Sequence, residues 1–252
     1  MAEFQNEEEI HAHKAMIEEE IEKIEEQLME KREKHDLVDD FCMSLHVDED
    51  AKGNEEMVLE EGQQYSGNLG GNGLPHGIGK VTHSVKGYVY VGEWENGKRK
   101  GRGKLTDGDY TYMGFWEDDR RRGWGLETFS GDSEWAGDKF EGMFEDDVRN
   151  GIGQYTYENG DYYMGTYKNG EREGIGKKEI MGHFTYMGEF KDDRMEGWGV
   201  LYFDGSNDVY EGQFKNDLRH GFGYYNYADG DHYIGQWKNG KQEGKGHLHQ
   251  IQ

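Results

Sequence analysis

The chain has 252 residues, 33% hydrophobic and 33% charged, with 40 glycines, 13% aromatics and a mean hydropathy of -1.10. So few aliphatic side chains cannot fill the thick core of a compact enzyme of this length, whereas the aromatic content excludes ordinary disorder. A net charge of -24 disfavours nucleic acid and anionic membranes, whose binding requires a basic face.

The charge is uneven. Residues 1–62 hold 6 Lys+Arg and 22 Asp+Glu, a net -16, and the remainder holds 23 and 31, a net -8. The single cysteine, Cys42, excludes an intrachain disulfide and a cysteine-cluster zinc site. No apolar run reaches membrane-spanning length, and the acidic start MAEFQNEEEI is unlike a signal or transit peptide. A reducing intracellular setting is the expectation.

Residues 6–35 contain neither Gly nor Pro and predict an amphipathic helix. Ile10, Ile17 and Ile24 share one heptad position and Ile21 and Leu28 its partner, with Lys14, Lys31 and His35 interrupting the seam. The stripe is too narrow for a core element and too short for a strong autonomous coiled coil. It needs a surface to lie on, from another protein or from this chain. Residues 36–62 read as a linker, with an apolar cluster (Leu37, Val38, Phe41, Met43, Leu45, Val47) that suits a short docking motif. The boundary expected from this reading separates 1–62 from 63–252.

The remainder is repetitive, the feature that most constrains a fold. Segments 90–103, 112–125, 140–153, 163–176, 186–199, 210–223 and 233–246 share the frame aromatic-x-Gly-x-aromatic-x-(Asn/Asp)-(Gly/Asp)-x-x-x-Gly-x-Gly. An eighth, weaker copy starts at Tyr65, with Leu69 for the second aromatic and the only proline, Pro75. Starts are 25, 22, 28, 23, 23, 24 and 23 residues apart, the long step being the insertion GDSEWAGDK before Phe140. Each unit reads as a β-hairpin. Tyr90, Gly92 and Trp94 alternate onto one strand face, and Asn96-Gly97, Asn169-Gly170 and Asn239-Gly240 are favoured hairpin turns. Gly101 and Gly103 on the return strand are expected to leave a slot in which a neighbouring ring lies flat on the backbone.

This frame resembles the MORN repeat and covers about three quarters of the chain. The resemblance implies a mainly β fold: an elongated single-layer antiparallel sheet of hairpin repeats, roughly sixteen strands, after the N-terminal helix. It implies structural glycines at Gly92, Gly101, Gly103, Gly114, Gly123, Gly125, Gly165, Gly174, Gly176, Gly188, Gly197, Gly199, Gly212, Gly221, Gly223, Gly235, Gly244 and Gly246. Copy one reads as a cap.

Candidate chemistry is sparse. The Gly-x-Gly-Lys strings at 77–80, 101–104 and 174–177 recur in strands and lack the ending of a phosphate loop. His247 and His249 share a strand face but lack further ligands for a metal, and Cys42 has no base partner. No cofactor, metal or catalytic residue is expected, and the chain reads as a non-enzyme. The stronger expectation concerns the rings. A one-layer sheet would leave Tyr90, Trp94, Tyr112, Trp116, Phe140, Phe144, Tyr163, Tyr167, Tyr186, Phe190, Tyr210, Phe214, Tyr233 and Trp237 as a partly wet trough, and exposed contiguous apolar surface marks binding sites. A helix from a partner protein, or residues 6–35, would occupy it through the seam Ile10, Ile17, Ile21, Ile24 and Leu28. The resulting expectation is a scaffold for protein partners, compatible with a homodimer. MORN proteins of similar layout suggest a cytoskeletal assembly such as the radial spoke of a ciliary or flagellar axoneme. A phosphoinositide-associated tether and the targeting module of an enzyme are the alternatives.

Overall fold

The computed structural model describes residues 2–44, 55–60 and 62–251, with side chains from 7–33, 55–60 and 62–251. The apolar cluster at Leu37–Val47 and the Cys42 side chain lie outside the described side chains. The protein is mainly β, an open antiparallel arrangement of hairpins with one helix, and forms two compact units, Leu28–Glu158 and Met1–Gln27 with Asn159–Gln252.

The first unit holds β1 (Glu55–Val58), β2 (Gln63–Leu69), β3 (Pro75–His83), β4 (Tyr88–Glu95), β5 (Lys98–Asp107), β6 (Tyr110–Glu117), β7 (Arg120–Phe129), β8 (Lys139–Glu145) and β9 (Val148–Thr156). The second holds β10 (Tyr162–Lys168), β11 (Glu171–Ile180), β12 (Phe184–Lys191), β13 (Arg194–Phe203), β14 (Val209–Lys215), β15 (Leu218–Asn226), β16 (His232–Lys238) and β17 (Lys241–His249). Within each unit every strand pairs antiparallel with its chain neighbours. Helix α1 runs from Ala2 to Ser44, longer than the expected 6–35 because no helix breaker follows before Gly53. Strand β1 falls in the expected linker and pairs Met57 with Tyr65.

The hairpin turns follow the dipeptide chemistry. Asn96 and Gly97 take φ of 52° and 85°, and the acidic pair Asp118-Asp119 adopts 48° and 70°. Both central residues are left-handed, matching the strand twist. The two return-strand glycines, however, do different jobs. Gly92 pairs with Gly103, and the ladder then skips to Trp94 opposite Arg99, so the return strand carries a bulge. Gly101 sits in that bulge at φ 75°, and an added Cβ would meet the Glu93 side chain, not a ring. Gly103 is the ring slot: a Cβ there would enter the ring of Tyr90. The expectation that both glycines make the slot is corrected on this point.

The slot explains how a thin sheet buries aromatics. Tyr90 lies across Gly92 and Gly103, and its hydroxyl donates to the Glu93 carbonyl, 3.1 Å away at the bulge. Tyr112, Tyr163, Tyr186 and Tyr210 repeat the bond to the third residue on, at 2.9–3.0 Å. Each ring thus loses its water without stranding its hydroxyl. Gly103→Ala is expected to destabilise by about 1–3 kcal/mol through overpacking. Urea unfolding of the full chain checks it, and an unchanged midpoint would contradict the slot.

Candidate functional site: the two faces of the sheet

Consider first the ring face. Trp94 stands edge-on to Tyr90 at 5.3 Å, Trp116 is edge-on to both Tyr90 and Tyr112 at 5.3 Å, and Phe144 continues the row beyond Tyr112 at 5.2 Å. In the second unit Tyr163, Phe190, Tyr186, Phe214, Tyr210 and Trp237 alternate likewise. Such edge-to-face contacts suit the ring quadrupoles. The consequence is full burial. Tyr90, Tyr112, Tyr163, Tyr186 and Tyr210 are 0% exposed and Trp116 only 3%. The anticipated wet trough is therefore not present: the rings close on one another and on glycine backbone.

Arginines complete the cover, a feature missed in the sequence reading. The residue two before the bulge glycine is Arg99, Arg121, Arg149, Arg172 and Arg219 in five repeats, and Pro75, Met195 and Gln242 in the other three. Arg99 lies 4.3 Å from the Trp116 ring centre, Arg149 4.4 Å from Phe140 and Arg219 4.5 Å from Trp237. These are cation–π distances. An aspartate in the next repeat's turn holds each of three lids. Asp119 Oδ1 accepts from both the backbone and Nε of Arg99, and Asp147 and Asp193 do the same for Arg121 and Arg172. The acidic turns thus also staple one repeat to the next. The regular Arg at one frame position was the available signal.

One lid system includes a buried carboxylate. Glu127, 4% exposed, accepts from Arg121 Nη1 at 2.6 Å, Tyr110 at 2.7 Å and Arg149 Nε at 2.8 Å. Three donors make this burial tolerable, and removing one would leave charge uncompensated.

The opposite face carries the helix. In the second unit Ile10, Ile17, Ile21 and Ile24 are buried, as is Leu28 in the first. The seam faces the sheet, with Val200 and Met164 buried on the side away from the rings. Polar contacts flank it. Glu211 meets His11 Nδ1 at 2.8 Å and accepts from Lys14 at 2.8 Å, Tyr202 donates to Glu18, and His13 stacks on Trp198 at 4.2 Å. Burial works against the Lys14 charge, but bonding to Glu211 outweighs it and the pKa is raised. In the first unit Arg32 donates to Glu141 and Gln154 at 2.9 and 2.8 Å. The heptad seam is thus met by the chain's own sheet rather than by a second helix, and on the face without the ring ladder.

The fold defines a repeat protein in which hairpins of one design are stacked through shared rings. Six copies, at 90–111, 140–162, 163–179, 186–207, 210–232 and 233–249, match the MORN repeat, and the chain belongs to the MORN-repeat family. The copies at Tyr65 and Tyr112, outside those matches, have the same ring-over-glycine hairpins. The repeat is a non-catalytic module of protein-binding or membrane-associated proteins. A comparison with curated proteins found no match. Among the described residues no helix is long and apolar enough to cross a membrane.

Burial holds the Tyr112 and Tyr186 hydroxyls well above their usual range and pushes Tyr65 up to about 12. A folded-state value above the unfolded value of about 10 gives stability that is complete below that pH and lost as pH rises through the folded value. Alkaline titration is expected to ionise these tyrosines together with loss of the β circular-dichroism signal. Their ionisation near pH 10 in a still-folded protein would contradict the burial.

Proposed function

We propose that the protein is a non-catalytic scaffold that binds helical segments of partner proteins on the face opposite the rings. The carrying observation is the helix α1 itself. Its five-residue apolar seam lies on that face and its flanks are matched by Glu211, Tyr202, Glu141 and Gln154. A surface that seats one amphipathic helix has the chemistry to seat another. The ring face supports this reading by exclusion, because its aromatics have almost no free area for an anchor.

MORN proteins of similar layout are frequently parts of cytoskeletal assemblies, which supports a ciliary or flagellar axoneme, at the radial spoke, as the proposed setting. The charge of -24 weighs against the alternative of a membrane tether. Affinity purification from the native cell with crosslinking mass spectrometry tests the scaffold. Crosslinks from Lys177 and Lys104 to helical segments of cytoskeletal proteins are the expected result. Strong sedimentation with phosphoinositide vesicles at physiological salt would favour the tether.

Ring and helix roles separate in one paired measurement. Trp116→Ala is expected to cost about 3–5 kcal/mol of stability, with partner affinity of the folded fraction retained. Loss of affinity in a variant of unchanged melting temperature would return the partner site to the ring face.

A further inference from the structure

In the second unit the residue between the first aromatic of a repeat and its glycine is Met164, Met187, Glu211 or Ile234. Three of the four are apolar, as the floor beneath an amphipathic helix requires, and the fourth is a carboxylate. Glu211 is buried, its side chain 8% exposed. Both of its oxygens are satisfied from α1 alone. Oε1 accepts from Lys14 Nζ and Oε2 meets His11 Nδ1, each at 2.8 Å. Among the described residues, none from the sheet donates to it. Breaking a buried ion pair by removing its cation leaves an uncompensated charge, which is strongly unfavourable. A helix on this surface must therefore bring cations to Glu211, and an apolar seam by itself supplies none.

Helix α1 meets that demand incompletely. Lys14 is a lysine cation, whereas His11 is charged only when protonated, is 48% exposed and has Glu7 3.9 Å from its other ring nitrogen. An arginine in its place is always charged and presents two parallel donors to a carboxylate. The remaining contacts set the direction of the helix. Tyr202 donates to Glu18 at 3.1 Å and Lys177 Nζ lies 3.5 Å from Glu25, so carboxylates follow the cations along the chain. With 200 residues between His11 and Glu211, α1 meets this surface through side chains, as a separate ligand does.

We propose that the Glu211 surface is the binding site for an amphipathic helix of a partner protein that carries an arginine and a second cation one turn apart, and that this helix takes the place of α1. The proposal rests on the scaffold reading and adds the residue that selects the partner. With its cations on Glu211, the incoming helix places aliphatic side chains where Ile10, Ile17, Ile21 and Ile24 lie and carboxylates toward Tyr202 and Lys177. Helices without the cation pair are rejected, because they would bury Glu211 unpaired.

The test uses the full chain and two fluorescent peptides built on residues 7–27. The first carries His11→Arg and keeps Lys14. The second has the same composition and net charge with the pair moved to the exposed side of the helix: His11→Glu, Lys14→Glu, Glu19→Arg and Glu22→Lys. Anisotropy reads binding, and hydrogen exchange reads the chain's own α1. The first peptide is expected to bind saturably, at least about tenfold tighter than the second, and to speed exchange of the α1 amides as it displaces them. In the Glu211→Gln chain that preference should disappear. Absence of saturable binding, equal binding of the two peptides, or binding that leaves α1 exchange unchanged overturns the proposal, and all three are read on the unaltered chain. A preference that survives Glu211→Gln overturns it as well. Such a failure leaves the scaffold reading to its crosslinking test, which samples helical partners along the whole face. Displacement of α1 by the first peptide with no cytoskeletal crosslink would instead fail the scaffold reading while sustaining the chemistry of the site.

Discussion

Everything in this architecture depends on a tyrosine ring lying across two facing glycines. A single sheet has no second layer to cover its rings, and the usual remedy is a packed helix or another sheet. Here the backbone itself is the second surface. Gly92 and Gly103 offer no Cβ, so Tyr90 approaches the main chain closely and reaches the Glu93 carbonyl. That carbonyl points the right way because the return strand bulges, and the bulge exists because Gly101 can hold φ 75°. Slot, bulge and hydroxyl bond are one device. Phe140, which stands at the tyrosine position and has no hydroxyl, still lies over Gly142 and Gly153, so packing is the part that cannot be omitted.

The two faces then solve burial by different means. The ring face is closed by edge-to-face contacts and by guanidinium groups pinned to the next repeat's turn, so its cover is charged outside and aromatic inside. The other face uses the ordinary remedy, an apolar helix stripe on an apolar strip of sheet. The difference bears on function. A lid anchored at two points through Asp119 or Asp193 is hard to displace, whereas a helix held by five aliphatic residues and a few ion pairs occupies a surface that another helix could use.

Much of this was legible in the residues. The fixed spacing between the first aromatic and the glycine pair revealed the hairpins, and Asn96-Gly97 and its counterparts located their turns. The seam Ile10, Ile17, Ile21, Ile24 and Leu28 is a matter of heptad arithmetic. The bulge was not legible, because alternation alone puts Gly101 and Gly103 on one face and only the three-dimensional register separates them. The burial of the rings was misjudged for a related reason. Reading a strand two residues at a time gives faces but not the partners across them, so the recurring arginine was there to be noticed, but not that Arg121 and the ring of the next repeat lie over Tyr112. The choice of face for α1 depends on Glu211, Tyr202 and Trp198, whose shared side emerges only once the strands are in register.

The docking of α1 also orders events in time. Most ties in the sheet link residues about 20 apart, so each hairpin can set as soon as its neighbour exists, and growth proceeds repeat by repeat. His11 and Glu211 are 200 residues apart. Helix α1 therefore leaves the ribosome long before the strand that carries Glu211, and until that surface is made the isoleucine stripe there has no place to go. Until then its dense glutamates, which contribute little to the finished interface, are what keep an uncovered apolar stripe in solution.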